Sequence, residues 1–376
     1  MNKNIIYLDN AATTRVDKEV VDEMKKYLVD EFGNPSSLHE MGERARKAID
    51  SAREKIAKKI NAKTGEVYFT SGGTEANNIA IQGVALANEN KKRNKIITSK
   101  IEHASVSNTC NYLKSLGYEI VEIAVDKGGI INLDALKKEI DDRTLLVSIM
   151  HVNNEIGTIQ PIKEIGKLCK EKGVLFHSDA VQSFGKIDID VKDMNIDLLS
   201  ASGHKINGPK GIGFIFVREG VRIKPLVYGG QQEKGLRSGT ENTAGIMGFA
   251  KALEITECLD KEKIRKLRDR LIEGLEKIGG KINGSKEKRI YNNVSVRFDG
   301  IDAEMMVLYL SGEGIMVSTG SACESKKKEE SRVLRAIGLN EKESRGSIRI
   351  VLGKETTNKD IEYALRKIEE GVKRLR

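Results

Sequence analysis

A lysine in a glycine-rich segment is the first residue of this chain whose surroundings suggest chemistry. Lys205 lies in SGHKINGPKGIG, directly after an apolar stretch that predicts a β-strand. The pKa of a lysine falls readily on burial, and the neutral amine is the form that condenses with an aldehyde to a Schiff base. A surface lysine beside a turn has the same local sequence, so this segment by itself leaves both interpretations open.

A second glycine-rich segment, TSGGTEAN at residues 70–77, joins an apolar strand to a helix. Such a turn presents unpaired backbone N–H groups and the positive end of the helix dipole, which together attract phosphate. Because the segment matches neither GxGxxG nor GxxxxGK(S/T), it favours a compact monophosphate over a dinucleotide or a nucleoside triphosphate. Many strand-to-helix loops have a similar composition, so the indication is weak without support from elsewhere.

Two further side chains follow predicted strands. Asp179, in VLFHSDAVQSFG, comes at the end of an apolar strand, where an unpaired carboxylate is costly to bury. A pyridinium N–H is one partner that would justify it, as in pyridoxal-phosphate (PLP) enzymes, and capping of the following helix is the alternative. His103, in KIEHAS, has a flat ring suited to stack on a planar cofactor, although a helix-entry or core histidine is equally compatible with its local sequence.

The elements that must position these side chains alternate between short β-rich runs and helical stretches through the first two thirds of the chain. EVYFT, KIITS, TLLVSIM, VLFHSDA and GIGFIFV are examples of the strands. Such alternation predicts a mostly parallel sheet covered by helices on both faces. After about Ile255 the pattern changes to that of a smaller α+β domain. We therefore expect a large domain over 15–255 and a small domain made of 1–14 and 256–376.

Composition limits the function classes. The 376 residues are 39% hydrophobic and 32% charged, as in ordinary globular proteins, and no apolar run is long enough to span a bilayer. The N-terminus has no secretory pattern, so a cytoplasmic location is expected, with no membrane partner. The net charge of +9 is spread over helices of mixed sign, so we expect no direct binding to nucleic acid.

The four cysteines lack CxxC or CxxH spacing, which argues against a structural zinc site or a disulfide framework. Cys110, Cys169 and Cys258 lie in helical patterns and are expected to be small core residues. Cys323 differs, because small residues precede it and the charged run ESKKKEES follows it, which predicts an exposed loop. No metal site is expected.

The chain resembles the cysteine desulfurases of the NifS/IscS type in segments that follow one another in family order: YLDNAATT, EFGNPSSLHEMG, TSGGTEANNIAI, EHASV, HVNNEIGTIQPI, HSDAVQSFGK, SGHKINGPKGIG, LRSGTEN and STGSACES. The resemblance covers nearly the whole chain, from Tyr7 to Arg349. It implies a class V, PLP-dependent transferase of fold-type I with an α/β architecture like that of aspartate aminotransferase. That fold has a large domain with a mixed, mostly parallel sheet and a smaller α+β C-terminal domain, and it is expected here as a homodimer.

The resemblance also implies which residues bind the cofactor. Lys205 would form the Schiff base, His103 would stack on the ring and Asp179 would hold the ring nitrogen. Thr240 would reach the phosphate from the other subunit. The resemblance implies further cofactor-binding residues near the phenolic oxygen and the phosphate of PLP. The full set is Gly73, Thr74, His103, Asn154, Asp179, Gln182, Ser202, His204, Lys205 and Thr240.

For catalysis the resemblance implies that Lys205 moves protons at Cα of L-cysteine and that His103 donates or accepts a proton. Arg349 would bind the substrate carboxylate, since its planar fork offers two parallel donors, and Asn154 would assist. Cys323, as thiolate, would attack the substrate sulfur, leaving alanine and a persulfide. Selenocysteine lysis or another reaction of class V PLP enzymes is the alternative activity, and a non-catalytic docking scaffold is a more distant one.

The implied acceptor of the persulfide is a protein such as an iron–sulfur scaffold. The segment after Cys323 departs from the family, which usually has small polar residues and a proline there, whereas this chain has Glu324 to Glu330 with three consecutive lysines. The loop keeps its apparent length, so the departure bears on the choice of partner and not on catalysis.

Overall fold

The structure, a computed structural model, describes residues 5–88, 92–320 and 331–376. The strands within these ranges are β1 (Ile6–Tyr7), β2 (Val67–Thr70), β3 (Lys95–Ser99), β4 (Glu119–Ile123), β5 (Thr144–Ser148), β6 (Leu175–Asp179), β7 (Leu198–Ser202), β8 (Gly213–Val217), β9 (Lys281–Ile282), β10 (Asn293–Arg297), β11 (Ile315–Met316), β12 (Ser318–Thr319) and β13 (Ser347–Val351). The α-helices are α1 (Lys18–Val29), α2 (Glu40–Lys59), α3 (Gly73–Ala87), α4 (Ala104–Ser115), α5 (Leu133–Glu139), α6 (Ile162–Glu171), α7 (Thr243–Glu257), α8 (Lys261–Lys277), α9 (Ala303–Gly312), α10 (Arg332–Ala336), α11 (Glu341–Arg345) and α12 (Asn358–Leu375).

A seven-stranded sheet in the order β2-β8-β7-β6-β5-β3-β4 forms the centre of the fold. Strand β8 pairs antiparallel with both of its neighbours, and the other pairings are parallel. Strands β3, β5, β7 and β8 are buried along their whole length, which explains why their sequences lack the strict alternation of apolar and polar residues that a half-exposed strand shows. The expected mixed, mostly parallel sheet is confirmed.

Helices cover both faces of this sheet because successive strand residues point to opposite sides. On one side Phe214 and Phe216 pack with helices α1, α2, α5, α6 and α7. On the other side Ile215 and Val217 pack with α3 and α4. The result is a three-layer α/β/α arrangement with two separate cores, and loops at the carboxyl ends of the parallel strands are free to build a site.

A second sheet, antiparallel and in the order β12-β13-β10-β9, lies in the C-terminal part of the chain. It has its own hydrophobic core with helices α8, α9 and α12. The N-terminal strand β1 pairs in parallel with β11, which ties the start of the chain to this region. Helix α7 ends at Glu257, so the boundary expected after residue 255 falls in its last turn.

The cysteines correct one expectation. Cys110 and Cys169 are buried in helices, as predicted, and burial raises the pKa of each thiol to about 12. The prediction that Cys258 is a core residue is wrong, because Cys258 is the exposed C-cap of α7, where the helix leaves the sheet. Cys323 lies outside the described residues.

Within the described ranges, no helix is both long and apolar enough to cross a bilayer. The same ranges contain no group of three or more His, Cys, Asp or Glu side chains that could hold a metal ion.

Candidate active site

A cavity of about 300 Å³ opens at the carboxyl ends of the parallel strands, between the large sheet and the C-terminal region. The strand-end loops of β3, β5, β6 and β7 all contribute to its wall, as expected for open α/β sheets. The predicted residues that it brings together are Gly73, Thr74, His103, Asn154, Asp179, Gln182, Ser202, His204, Lys205 and Arg349. Thr240 does not line it and is exposed, and Cys323 is outside the described residues.

Helix α3 begins at the cavity. Gly73 is its first residue, and a Cβ there would stand 2.4 Å from Cγ2 of Val181, so only glycine fits without a shift. Gly72, with φ +154°, shapes the turn before it. Burial, followed by the charge of Lys205, lowers the pKa of the nearby His204 to about 4, so its ring is neutral. The unpaired N–H groups of the first turn and a neutral histidine form a cradle for a phosphate.

Lys205 ends the short 3₁₀ turn Gly203–Lys205 that follows β7. Its amine donates hydrogen bonds to the carbonyl oxygens of Ala11 and Ala12, at 2.6 and 2.7 Å. The segment YLDNAATT therefore holds the amine at the cavity wall through its backbone. Of the two interpretations left open by the sequence, the structure selects the lysine in a cleft.

A second lysine, which the sequence analysis missed, lies beside Lys205. Lys186 is buried, and its amine donates to Oε1 of Gln182 at 3.3 Å, while Nε2 of Gln182 donates to the carbonyl of Ala11 at 3.0 Å. Burial, and then the charge of Lys205, lowers the pKa of Lys186 to about 7. The spacing of four residues between Gln182 and Lys186 was the available signal, but nothing in it shows that the lysine is buried.

Asp179, at the end of β6, is 4% exposed. One carboxylate oxygen accepts the backbone N–H of Val181 at 2.9 Å, and the other accepts Nδ2 of Asn77 at 2.7 Å. The carboxylate thus caps the following turn and lines the cavity at the same time, so the two interpretations of the sequence are compatible. Asn77, on α3, was not predicted as a site residue.

His103 is the N-cap of α4, and its Nδ1 accepts the backbone N–H of Ser105 at 3.1 Å. The ring also lines the cavity. It is therefore both the helix-entry histidine and the cavity histidine that the sequence suggested.

Arg349, in the middle strand pair of the C-terminal sheet, is 2% exposed. One terminal nitrogen donates to Oδ1 of Asp9 at 2.8 Å, and the other donates to the carbonyl of Asn154 at 3.2 Å. Its Nε has no hydrogen-bond partner among the described residues. A planar guanidinium on a cavity wall, held in place by these two hydrogen bonds, is suited to an incoming carboxylate.

Three further charged residues line the cavity wall although the sequence did not predict them as site residues: Glu102, Glu155 and Arg332. Burial raises the pKa of Glu102 to about 8, although its carboxylate accepts hydrogen bonds from Ser99 Oγ at 2.5 Å and from the N–H of Met150 at 3.0 Å. Glu155 accepts a bond from Ser331, and Arg332 pairs with Glu122. Their local sequences carry no feature that separates them from ordinary surface charges.

These features fit PLP. The glycine-requiring helix start suits the phosphate, the buried carboxylate of Asp179 suits a protonated ring nitrogen, and the tethered amine of Lys205 suits the aldehyde. Two buried polar atoms on the wall, Oδ1 of Asn77 and Nε of Arg349, lack partners within the described part of the chain.

Comparison with known proteins gives a consistent result. Residues 6–364 match the family described as aminotransferase class-V. A protein named cysteine desulfurase IscS from Methanosarcina thermophila is 50% identical, with 99% of this chain and 93% of that protein covered. Another of that name from Clostridium botulinum is 48% identical, covering 100% of this chain and 96% of the other.

Solved structures agree. A NifS-like protein superposes with a TM-score of 0.93 and 41% identity, covering 99% of this chain and 100% of that one. A structure described as SspA in complex with cysteine gives a TM-score of 0.85 and 39% identity, with 94% and 100% coverage.

Proposed function

This chain belongs to the aminotransferase class-V family, and from that premise we propose that it is a cysteine desulfurase, which takes the sulfur atom from L-cysteine and releases L-alanine. The observation that carries the proposal is a single cavity wall that holds the tethered amine of Lys205, the buried carboxylate of Asp179 and the guanidinium of Arg349. A site for the electrophile and a site for the carboxylate thereby share one cavity, as chemistry on an α-amino acid requires.

We assign the cofactor role to PLP, which when bound serves as an electron sink for the bonds at the substrate Cα. Lys205 would hold it covalently, Asp179 would keep its ring nitrogen protonated, and the first turn of α3 would bind its phosphate. The other residues assigned to cofactor binding are Gly73, Thr74, His103, Asn154, Gln182, Ser202, His204 and, from the second subunit, Thr240.

Arg349 is assigned to the substrate carboxylate because it places a planar cationic guanidinium on the cavity wall. The hydrogen bond that Arg349 donates to the carbonyl oxygen of Asn154, together with its ion pair with Asp9, fixes the plane of the guanidinium. Lys205, whose amine lines the same cavity, is assigned to move the proton at Cα, and His103, on the same wall, is assigned to donate or accept a proton.

Cys323 is assigned as the sulfur acceptor. Its thiolate attacks the substrate sulfur, a new S–S bond forms, and the C–S bond breaks with its electron pair retained by the amino-acid skeleton. That skeleton takes up a proton and leaves as alanine. Cys110 and Cys169 are unsuited to this step, because a thiol with a pKa of about 12 is almost wholly protonated at neutral pH.

The oligomeric state, the sulfur-acceptor protein and the domain organisation are also proposed. The chain would act as a homodimer with Thr240 completing the partner's phosphate site, and it would pass its persulfide to a protein such as an iron–sulfur scaffold. We propose two domains, 15–255 and 1–14 with 256–376, in support of which β1 pairs with β11 and the C-terminal core is separate.

The test of the activity is release of alanine and sulfide from L-cysteine with a thiol reductant and without any oxo-acid. Lys205→Ala should abolish turnover, whereas Lys210→Ala, in the same loop but exposed, should retain it. Alanine formation that depended on an oxo-acid would indicate a transaminase and contradict the proposal.

The test of the acceptor residue is mass spectrometry after a cysteine pulse without reductant. A gain of about one sulfur atom, ~32 Da, should map to the peptide that contains Cys323. The same gain on Cys110, Cys169 or Cys258 would show that Cys323 is not the acceptor.

A further inference from the structure

Lys186 is a buried lysine that has no carboxylate partner in the described part of the chain. It ends the segment HSDAVQSFGK and is 7% exposed. Its amine donates a hydrogen bond to Oε1 of Gln182 at 3.3 Å. Burial of an amine without an ion pair is costly, and burial is the main cause that lowers the pKa of Lys186 to about 7. The contact with Gln182 is the polar interaction that the lysine contributes at this position.

The side-chain amide of Gln182 is held at both of its ends. Its Nε2 donates to the carbonyl oxygen of Ala11 at 3.0 Å, and a carbonyl oxygen can only accept. The nitrogen therefore faces Ala11 and the oxygen faces the amine of Lys186, which can donate whether it is charged or neutral. A half-turn of the amide would place an acceptor against the carbonyl and an NH₂ group against the amine, so both contacts favour the same orientation.

These contacts reach the active-site cavity without Lys186 entering it. The carbonyl of Ala11 that accepts from Gln182 also accepts from the amine of Lys205 at 2.6 Å. Lys186 itself lines a separate cavity of about 30 Å³, and of the residues around that cavity only Lys205 also lines the active site. Gln182 does line the active site. Lys186 therefore acts on a ligand there through the amide that it holds.

The orientation of the amide decides what Gln182 offers to a ligand. Nε2 carries two hydrogens, of which one is donated to Ala11, and no described residue accepts the other. Gln182 thus presents a donor to the cavity, which suits an acceptor. Of the polar groups of PLP, the ring nitrogen, the phosphate and the aldehyde are assigned to Asp179, helix α3 and Lys205. The group left for Gln182 is the phenolic oxygen, which is an acceptor when ionised.

We infer that Lys186 is a positioning residue of the cofactor site, which holds the amide of Gln182 so that Nε2, and not Oε1, faces the phenolic oxygen of PLP. The inference rests on the proposed function, because PLP is the assigned cofactor. It is nevertheless tested by binding and absorbance, which need no turnover, so the two can fail in distinguishable ways.

The experiment is a double-mutant cycle on the dissociation constant of PLP, measured by titration of the cofactor-free full chain at pH 8.5. At this pH most Lys186 amines are uncharged, given their pKa of about 7, so loss of a charge contributes little. Lys186→Met should weaken PLP binding by about 3- to 10-fold, the equivalent of one hydrogen bond. In a Gln182→Met background the same substitution should have almost no further effect. The exposed Lys114→Met is the control and should match the parent.

The visible absorbance band of bound PLP gives a second readout. A hydrogen bond donated to the ionised phenolic oxygen lowers the affinity of that oxygen for a proton. The pH midpoint of the band should therefore rise by about 0.4 to 1 unit in Lys186→Met, and Lys186→Met with Gln182→Met should not differ from Gln182→Met alone.

Equal effects of Lys186→Met in the parent and in the Gln182→Met background would overturn the inference, because Lys186 would then act by packing or charge and not through the amide. An unchanged PLP dissociation constant in Lys186→Met would overturn it as well. Failure of the parent to bind PLP would contradict both the inference and the proposed function. The expected coupling without release of alanine from L-cysteine would support the inference and contradict the proposed function alone.

Discussion

Lys186 offers a quantitative test of how the protein holds a second amine beside Lys205. It is buried, with a pKa lowered from 10.5 to about 7 by burial and by the charge of Lys205. The unfolded chain therefore binds more protons than the folded one between these two pH values, and the stability of the parent rises with pH across this window. The substitution Lys186→Met keeps a side chain of similar length and removes the amine.

The shift in pKa corresponds to a destabilisation by the buried ammonium of about 5 kcal/mol below pH 7, where the amine is charged in both states. By linkage the penalty is about 4 kcal/mol at pH 7.5 and about 2 kcal/mol at pH 9. A methionine side chain carries no charge and so avoids this penalty. In the variant, however, Oε1 of Gln182 loses its hydrogen-bond donor, which costs about 1 to 2 kcal/mol at every pH. The variant should thus be more stable than the parent at pH 7.5, and its advantage should shrink by about 2 kcal/mol at pH 9.

The assay is urea unfolding of the cofactor-free protein, followed by circular dichroism at one protein concentration, because bound cofactor or a change in subunit association would shift the apparent stability. Lys114→Met, at an exposed position of helix α4, is the matched control and should show no such trend. A difference between Lys186→Met and parent that stays constant from pH 7.5 to 9 would refute the reasoning.

Three further predictions concern the same cavity. Gly73→Ala forces a Cβ against Val181 and should weaken PLP binding by about 10- to 100-fold in a spectroscopic titration, while Gly312→Ala, with open space around it, should not. Glu102→Gln removes a carboxyl whose pKa is raised from 4.5 to about 8. The free energy of unfolding of the parent therefore falls as pH rises from 5 to 8, whereas that of the variant does not. In urea unfolding, the difference between the two should change in favour of the variant by up to roughly 1.4 kcal/mol per pH unit, and parallel curves would contradict this. Arg349→Lys keeps the charge beside Asp9 but loses the planar fork, so KM for L-cysteine should rise about 10-fold or more with the protein still folded. An unchanged KM would remove Arg349 from the substrate site.

Much of the fold follows from local patterns. Apolar runs such as those in β5 and β8 predict strands buried on both faces, and their alternation with helices predicts a mostly parallel sheet. Since the carboxyl ends of parallel strands meet at one edge, the positions of His103, Asp179 and Lys205 after such strands suffice to expect them in one cavity.

Side-chain contacts between distant segments could not be predicted in this way. Lys205 bonds to carbonyls of the N-terminal segment and Arg349 pairs with Asp9, across nearly the whole length of the chain, and sequence spacing carries no information about such neighbours. The burial of Lys186 and the exposure of Cys258 depend likewise on which helix face meets the sheet and where the helix ends.

The sequence by itself thus determined the chemistry that the chain carries, because residue types and the periods of strands and helices are local properties. The tertiary structure alone decided the surroundings of that chemistry: which amine lies beside which carbonyl, which donor is left unpaired and which backbone N–H the ring of His103 accepts. These depend on distances of a few ångströms between segments far apart in the chain, and only packing sets such distances.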